Sequence, residues 1–152
     1  MNSESSNMIF KYELRPIQYD DLTWLREWFT DKETKQRMGG MLPLEDFYNN
    51  TKEISNINHT VALGDETIYA FVSTETDEQD KCYISIIVNP NYRRQGIGYQ
   101  VINEICRLHA KYNIYASIET NNTPSISLFT KCGFVNSNIT VDGYANYIHP
   151  GI

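Results

Sequence analysis

Two arginines, a glutamine and two glycines fall within the six residues Arg93–Gly98, inside the stretch NPNYRRQGIGYQVINEI at 89–105. The stretch begins as a turn and ends as a helix-forming run. A strand is expected to end near Val88 and a helix to begin near Gly96. A helix N-terminus carries unpaired N–H groups and roughly half a positive charge from its dipole. Glycines at 96 and 98 remove side chains that would hold a ligand away from those groups. Arg93 and Arg94 add full charge at the same end, where it opposes the dipole and so does nothing for helix stability. Arg93, Arg94, Gly96 and Gly98 together suit a phosphate or pyrophosphate. The plainer reading is a glycine-bearing turn with two solvated arginines.

Two phosphate chemistries compete for the junction. GIGYQV approaches the G-x-G-x-x-G dinucleotide fingerprint, and Glu119 follows the next strand near where a ribose-binding acid would fall. Against this, Val101 occupies the third glycine position, and seven residues including Pro90 separate Val88 from Gly96. The unit also comes late, after a run of antiparallel-looking strands. No G-x-x-x-x-G-K-[ST] loop occurs.

The other chemistry is acyl-coenzyme A. VNPNYRRQGIG resembles the pyrophosphate-binding signature of the GNAT superfamily of acyl-CoA-dependent N-acyltransferases, R/Q-x-x-G-x-G/A, with Arg93, Gly96 and Gly98 filling it. NTPSISLFTKCGF resembles the same family's N-x-x-A/S-I-x-L-Y-x-K-x-G-F segment. Asn122, Ser125, Ile126, Leu128, Lys131, Gly133 and Phe134 fall in register. The resemblance runs from Met8 to Ile148 and implies an α/β domain with a central mixed, twisted sheet flanked by helices. It further implies acetyl-CoA as co-substrate and N-acetyl transfer to a primary amine of a small molecule or peptide.

Residue by residue, the resemblance implies that the strand ISIIV parts from IYASI. Backbone groups around Ile86, Ile87 and Val88 then pair with pantetheine, and the amides from Arg94 to Tyr99 hold the pyrophosphate. Asn122 meets the pantetheine end, and the Val88 N–H faces the thioester oxygen, where charge builds during attack. Phe129 departs from the pattern: it stands where the family usually has the tyrosine that protonates the leaving thiolate. Tyr144 or Tyr147 on the last strand is a candidate substitute, although with 11 tyrosines in the chain either reads first as packing. Glu119 is the candidate base, on the strand face of Ser117, and equally reads as a solvated strand-end acid. Trp24 and Trp28 sit one helical turn apart and read first as core. With the QRMGGM loop and Tyr144 they are also candidates for the acceptor pocket. Two other functions stay open: an acyl-CoA-binding module with little catalysis, and a nicotinamide-dependent oxidoreductase built on GIGYQV.

The elements that must position these residues follow from pattern. The run 8–17 alternates as a first strand, and YDDLTWLREWF is a helix capped by Asp20 or Asp21. DKETKQRMGGM reads as a polar loop and PLEDFYNNTKEI as a second helix. HTVAL, TIYAFVS and KCYISIIV are strands, the first two joined by a turn at Gly64–Glu66. Ile97, Val101, Ile105 and Leu108 recur at helical spacing, with Ile102 and Cys106 alongside. IYASIE is a strand, NNTPSISLFTKCGF a short helix, and TVDGYANYIH the closing strand. Residues 1–7 are expected to be a flexible start and 8–152 one domain.

Composition bounds the partners. The chain has 152 residues, 41% hydrophobic and 21% charged, a formal net charge of -6 and a pI near 5.0. That suits one domain with a core and argues against nucleic-acid or anionic-membrane binding, which want clustered Lys and Arg. It leans slightly towards a cationic acceptor. Cys82, Cys106 and Cys132 are odd in number and lack metal-ligand spacing, so they read as buried thiols of a cytoplasmic protein with no metal. MNSESSN lacks the basic start and apolar run of a signal peptide, and no apolar run is long enough to span a membrane.

Overall fold

The computed structural model describes residues 9–150; the expected flexible start lies outside the described residues. Strand β1 (Glu13–Pro16) leads through a 3-10 turn (Tyr19–Asp21) into α1 (Leu22–Trp28), α2 (Lys32–Met38), a second 3-10 turn (Gly39–Met41) and α3 (Leu44–Thr51). Strands β2 (Ile57–Gly64), β3 (Thr67–Thr76) and β4 (Lys81–Val88) follow, then a 3-10 turn (Pro90–Tyr92) and α4 (Ile97–Leu108). The chain closes with β5 (Asn113–Glu119), α5 (Thr123–Lys131), β6 (Val135–Val141) and β7 (Tyr144–Ile148). The strands form one seven-stranded sheet in the order β1-β2-β3-β4-β5-β7-β6. Its neighbours are antiparallel except β4 and β5, which are parallel and joined through α4, as a parallel pair requires a crossover. This is the expected mixed sheet.

Side chains alternate between two cores. On one face, Ala62, Ala70, Val72 and Ile84 meet Ile97, Val101, Ile102 and Ile105 of α4 and Phe129 of α5. On the other, Phe71 and Ile87 meet Leu22, Leu25 and Trp28 of α1 and Leu44 of α3. The α4 spacing is therefore a core stripe, with one correction. Leu108 is 64% exposed, because burial of the apolar face ends at Ile105 and Cys106.

Three further expectations change. DKETKQRMGGM is not a loop: Asp31 accepts the Thr34 N–H at 3.0 Å and caps α2, and Lys, Glu, Gln and Arg sustain the helix. Asp21 does not cap α1 directly. It accepts the Gln18 N–H at 2.7 Å, Trp24 Nε1–H at 2.8 Å and both Arg15 Nη groups at 2.7 and 2.8 Å. The closing strand is two strands, since Asp142 and Gly143 both take positive φ (51° and 81°) and turn the chain back, a pattern that tight hairpins demand.

His59 is buried under the α3 face. Its Nε2 lies 2.9 Å from Thr51 Oγ1 and its Nδ1 2.6 Å from Ser73 Oγ, with the ring stacked on Phe71. Burial holds its pKa below the ordinary histidine value. The unfolded chain then takes up a proton first, near pH 6.5. As pH falls below that point the unfolded state is favoured by about 1.4 kcal/mol per unit until the folded ring also protonates; above it the group has no effect. The melting temperature should therefore fall from pH 7.5 to 5.5, with a shallower slope in His59→Leu. Some slope should remain, because burial lowers His149 in the same direction.

Candidate active site

Strands β4 and β5 pair only over Lys81–Tyr83 with Asn113–Tyr115, and then part. Beyond that point β4 stays bonded to β3 through Val88, and β5 to β7 through Glu119. The period of two in an antiparallel ladder decides which backbone groups the parting leaves over. The Asn89 N–H donates to the Tyr69 carbonyl at 2.8 Å, so Asn89, Ile87 and Ser85 face β3. Ile84, Ile86 and Val88 then turn their N–H and C=O groups into the gap. On the other side the Thr120 N–H donates to the Gly143 carbonyl at 2.9 Å. Ala116 and Ile118 therefore face β7, and Ser117 and Glu119 face the gap. Ile87, expected to offer backbone groups beside Ile86 and Val88, has its backbone turned to β3 and its side chain in the core with Phe71.

The gap widens into a cleft of about 750 Å³. At one end stands the start of α4, contributing Arg93, Arg94, Gly96, Ile97, Gly98 and Tyr99; Asn122, Leu128, Phe129 and Lys131 of the α5 segment form one wall. Glu33, Arg37 and Met38 of α2 form the opposite wall, with Glu119 and Tyr144 beside them. Gln95 is half-buried at the same loop but does not line the cleft. Trp24 and Trp28 lie elsewhere. Their ring centres lie 4.6 Å apart with the planes tilted at 51°, and they line a separate cavity with Glu27 and Glu66.

The two glycines at the α4 start differ in role. Gly96 is the N-cap with φ +94°, a left-handed conformation that costs an L side chain roughly 1–2 kcal/mol. Gly98 is buried, and a Cβ there would lie 2.9 Å from Leu128 Cδ2 and 3.3 Å from Val88 Cγ2. It lets α4 close on α5 and β4, so these contacts give it a packing role. The seven residues from Asn89 to Gln95 include the Pro90–Tyr92 turn, so the glycines do not make a tight strand-to-helix turn.

Two of the arginines at the site are paired with carboxylates. Arg93 is not a free cation: Nη2 lies 2.6 Å from Asp31 Oδ2 and Nη1 3.3 Å from Asp31 Oδ1. That guanidinium, with the Thr34 N–H, holds the Asp31 carboxyl down at about 2. Arg94 is exposed and has no salt bridge among the described residues, and Lys131 lies 5.1 Å from the centre of the Tyr99 ring. Glu119 Oε1 accepts from Arg37 Nη1 at 3.1 Å, and the same Nη1 donates to Asn121 Oδ1 at 2.8 Å. Asn122 caps α5, accepting the Ser125 N–H at 3.3 Å.

Two candidate proton donors separate cleanly. Tyr144 is 43% exposed, faces the cleft and lies opposite Glu119 in the β5–β7 register. Tyr147 is buried in the core. Phe129 is 3% exposed, edge-on to Phe134 at 5.0 Å, and is among the residues that line the cleft. The three thiols are all buried, which pushes Cys82 up to about 11 and Cys106 and Cys132 up to about 12; a thiolate nucleophile is out of reach near neutral pH. Among the described residues, no group of three or more His, Cys, Asp or Glu side chains is gathered to hold a metal, and no helix is long and apolar enough to cross a membrane.

The QRMGGM stretch, with Arg37 and Met38, was named for the acceptor pocket but read as a loop; its helix and Glu33 were missed, and the available signal was Asp31 three residues before Thr34, an N-cap spacing.

The acetyltransferase (GNAT) family profile matches residues 20–134. The chain is 30% identical over 121 residues to the uncharacterized N-acetyltransferase YfmK of Bacillus subtilis (strain 168), covering 78% of this chain and 81% of that protein. Among solved structures it resembles the spermidine N-acetyltransferase of Vibrio cholerae in complex with CoA and spermine, at 17% identity and TM-score 0.74, over 90% of this chain and 92% of that one. It also resembles the aminoglycoside acetyltransferase AAC(6')-Ib in complex with coenzyme A and kanamycin, at 14% identity and TM-score 0.76, over 91% and 93% of the two chains. Likeness at this level of identity is likeness of fold.

Proposed function

This chain belongs to the acetyltransferase (GNAT) family, and we propose that it transfers the acetyl group of acetyl-CoA to a primary amine of a small molecule or peptide. The observation that carries the proposal is the parting of β4 and β5 beyond Tyr83 and Tyr115. It leaves the backbone groups of Ile86 and Val88 unbonded beside a cleft that ends on the α4 N-terminus. An extended amide-bearing arm can add to β4 there as a strand would, with its diphosphate on the amides from Arg94 to Tyr99. Arg94 and Lys131 supply charge, and Asn122 stands by the arm's reactive end.

The reaction is direct. The neutral amine nitrogen attacks the thioester carbon, the Val88 N–H stabilises the charge growing on the carbonyl oxygen, and the C–S bond breaks. Glu119, directly or through water, takes the amine proton. Tyr144 is the candidate to protonate the departing thiolate, because Phe129 has no proton to give. A thiol of pKa about 8.5 also leaves tolerably unaided.

A cationic acceptor is supported by the net charge of -6. Spermine and kanamycin, held by the two structural neighbours, both carry several amino groups. A cytoplasmic setting, where thiols stay reduced, suits the three free cysteines. Phe129 favours a second reading, an acyl-CoA-binding module with little turnover. A panel of polyamines, aminoglycosides and peptide amines, assayed with acetyl-CoA by free-thiol release, separates the two. Release with at least one amine is expected; CoA binding with no release above hydrolysis for any amine would favour the binding module.

A further inference from the structure

The Arg93 side chain leaves the α4 loop and grips α2, 62 residues away in sequence. Its Nη2 meets Asp31 Oδ2 at 2.6 Å and Thr34 Oγ1 at 3.0 Å, while Nη1 meets Asp31 Oδ1 at 3.3 Å. The same Oδ2 accepts the Thr34 N–H at 3.0 Å. One carboxylate therefore starts α2 and ties it to the loop at the end of the cleft. At the other end of this short helix, Arg37 reaches Glu119 and Asn121 across the cleft, at 3.1 and 2.8 Å. Helix α2 is thus a bar over the amine side of the cleft, fixed to the α4 loop at its start and to the end of β5 at its finish.

We infer that Arg93 is a positioning residue, which transmits order from the loop that holds the diphosphate to α2, the wall that receives the amine. The inference rests on the acetyl-CoA reading above. A ligand that fixes the amides of residues 94–99 also fixes the backbone that carries the Arg93 side chain. That side chain then restrains the first turn of α2, and with it Glu33, Arg37 and Met38. The guanidinium edge that meets Asp31 is engaged by both carboxylate oxygens, so Arg93 would have to surrender a bidentate pair to reach a phosphate, whereas Arg94 stands exposed at the same loop. Coupling is reciprocal: CoA tightens amine binding by the factor by which the amine tightens CoA.

The test is hydrogen exchange of the wild-type chain, Asp31→Asn, Arg93→Gln and the double variant, with and without saturating CoA, whose binding is measured separately by calorimetry. Asn is as good an N-cap as Asp, so Asp31→Asn removes the ion pair and keeps the helix start. In the wild type, CoA should slow exchange at residues 94–99 and also across 32–38, the latter by about fivefold or more. In each variant the slowing at 94–99 should persist while that at 32–38 disappears, and the double variant should lose no more than either single one. Slowing at 32–38 that survives in both single variants would overturn the inference. So would CoA speeding exchange there in the wild type, since that would mean the phosphate draws Arg93 away from Asp31. Absence of CoA binding to the wild type in the calorimeter is a different failure, that of the acetyl-CoA reading itself.

Discussion

Replacing Glu119 with Gln should lower kcat by about 10²–10⁴-fold and leave CoA affinity nearly unchanged. Glu119 ends β5 with its backbone turned into the gap and its carboxylate on the α2 side of the cleft, paired with Arg37 at 3.1 Å. The proposed diphosphate site lies at the α4 end of the cleft, away from this carboxylate, so cofactor affinity has no reason to follow it. An arriving ammonium would meet the same carboxylate that Arg37 now holds, and an amine must shed a proton before it can attack. Gln preserves shape and one acceptor but cannot take that proton. The decisive readout is the split between kcat and KM. If Glu119 is the base, kcat falls while the KM for the amine changes little. If Glu119 only anchors Arg37, the KM for the amine rises while kcat persists. Calorimetry on the variant checks that the cofactor still binds.

The end of β4 at Val88 and the start of α4 after Gly96 were legible, and the glycine and arginine spacing between them is what the diphosphate proposal rests on. The strands β2 to β4 were legible from β-branched runs bounded by turn residues, and α4 from its apolar period. What stayed hidden was whatever lacks apolar periodicity. Helix α2 buries only Thr34 among its own residues, so no stripe announced it, and the wall it builds was read as a loop. Strand β6 is an edge strand, nearly all exposed, and its ladder is broken by a register shift between Asn136 and Thr140 with Asn138 at φ +64°. Alternation cannot survive such a break. The partner of Arg93 was beyond reach for another reason: an ion pair between residues 31 and 93 is a product of the fold, and a sequence shows the charge without its destination.

Gly64→Ala should be among the most damaging single substitutions to the fold, at about 1–3 kcal/mol, with the melting temperature falling roughly 2–4 °C for each. The sequence marks Gly64 as the start of a turn, and the neighbouring Asp65 and Glu66 do take the left-handed φ values of 51° and 63°. The constraint on Gly64 itself comes from elsewhere. A Cβ there would lie 2.2 Å from the Lys11 carbonyl oxygen and 3.3 Å from Tyr12 Cα. Both are backbone atoms, so neither can swing aside as a side-chain tip would. Either the segment before β1 moves off or the end of β2 does. The first exposes Phe10, now 8% exposed and edge-on to Tyr69 at 5.2 Å, and breaks its N–H bond to Gln100 Oε1 at 3.0 Å. The second opens the β1–β2 ladder at Glu13 and Leu63. Gly40→Ala is the control, because nothing lies within 4 Å of a Cβ there. Its effect should stay within about 0.5 kcal/mol. Equal melting temperatures for the two variants would mean that the Lys11 contact yields without cost.

The most direct single measurement is a crystal structure of the chain with CoA bound. The pantetheine arm should lie between β4 and β5, hydrogen-bonded to the backbone of Ile86 and Val88 and not of Ile87. The diphosphate should sit on the amides from Arg94 to Tyr99, with Arg93 still on Asp31. CoA seated outside the parting of β4 and β5, or a diphosphate held away from the start of α4, would contradict the assignment of this cleft as the acetyl-CoA site.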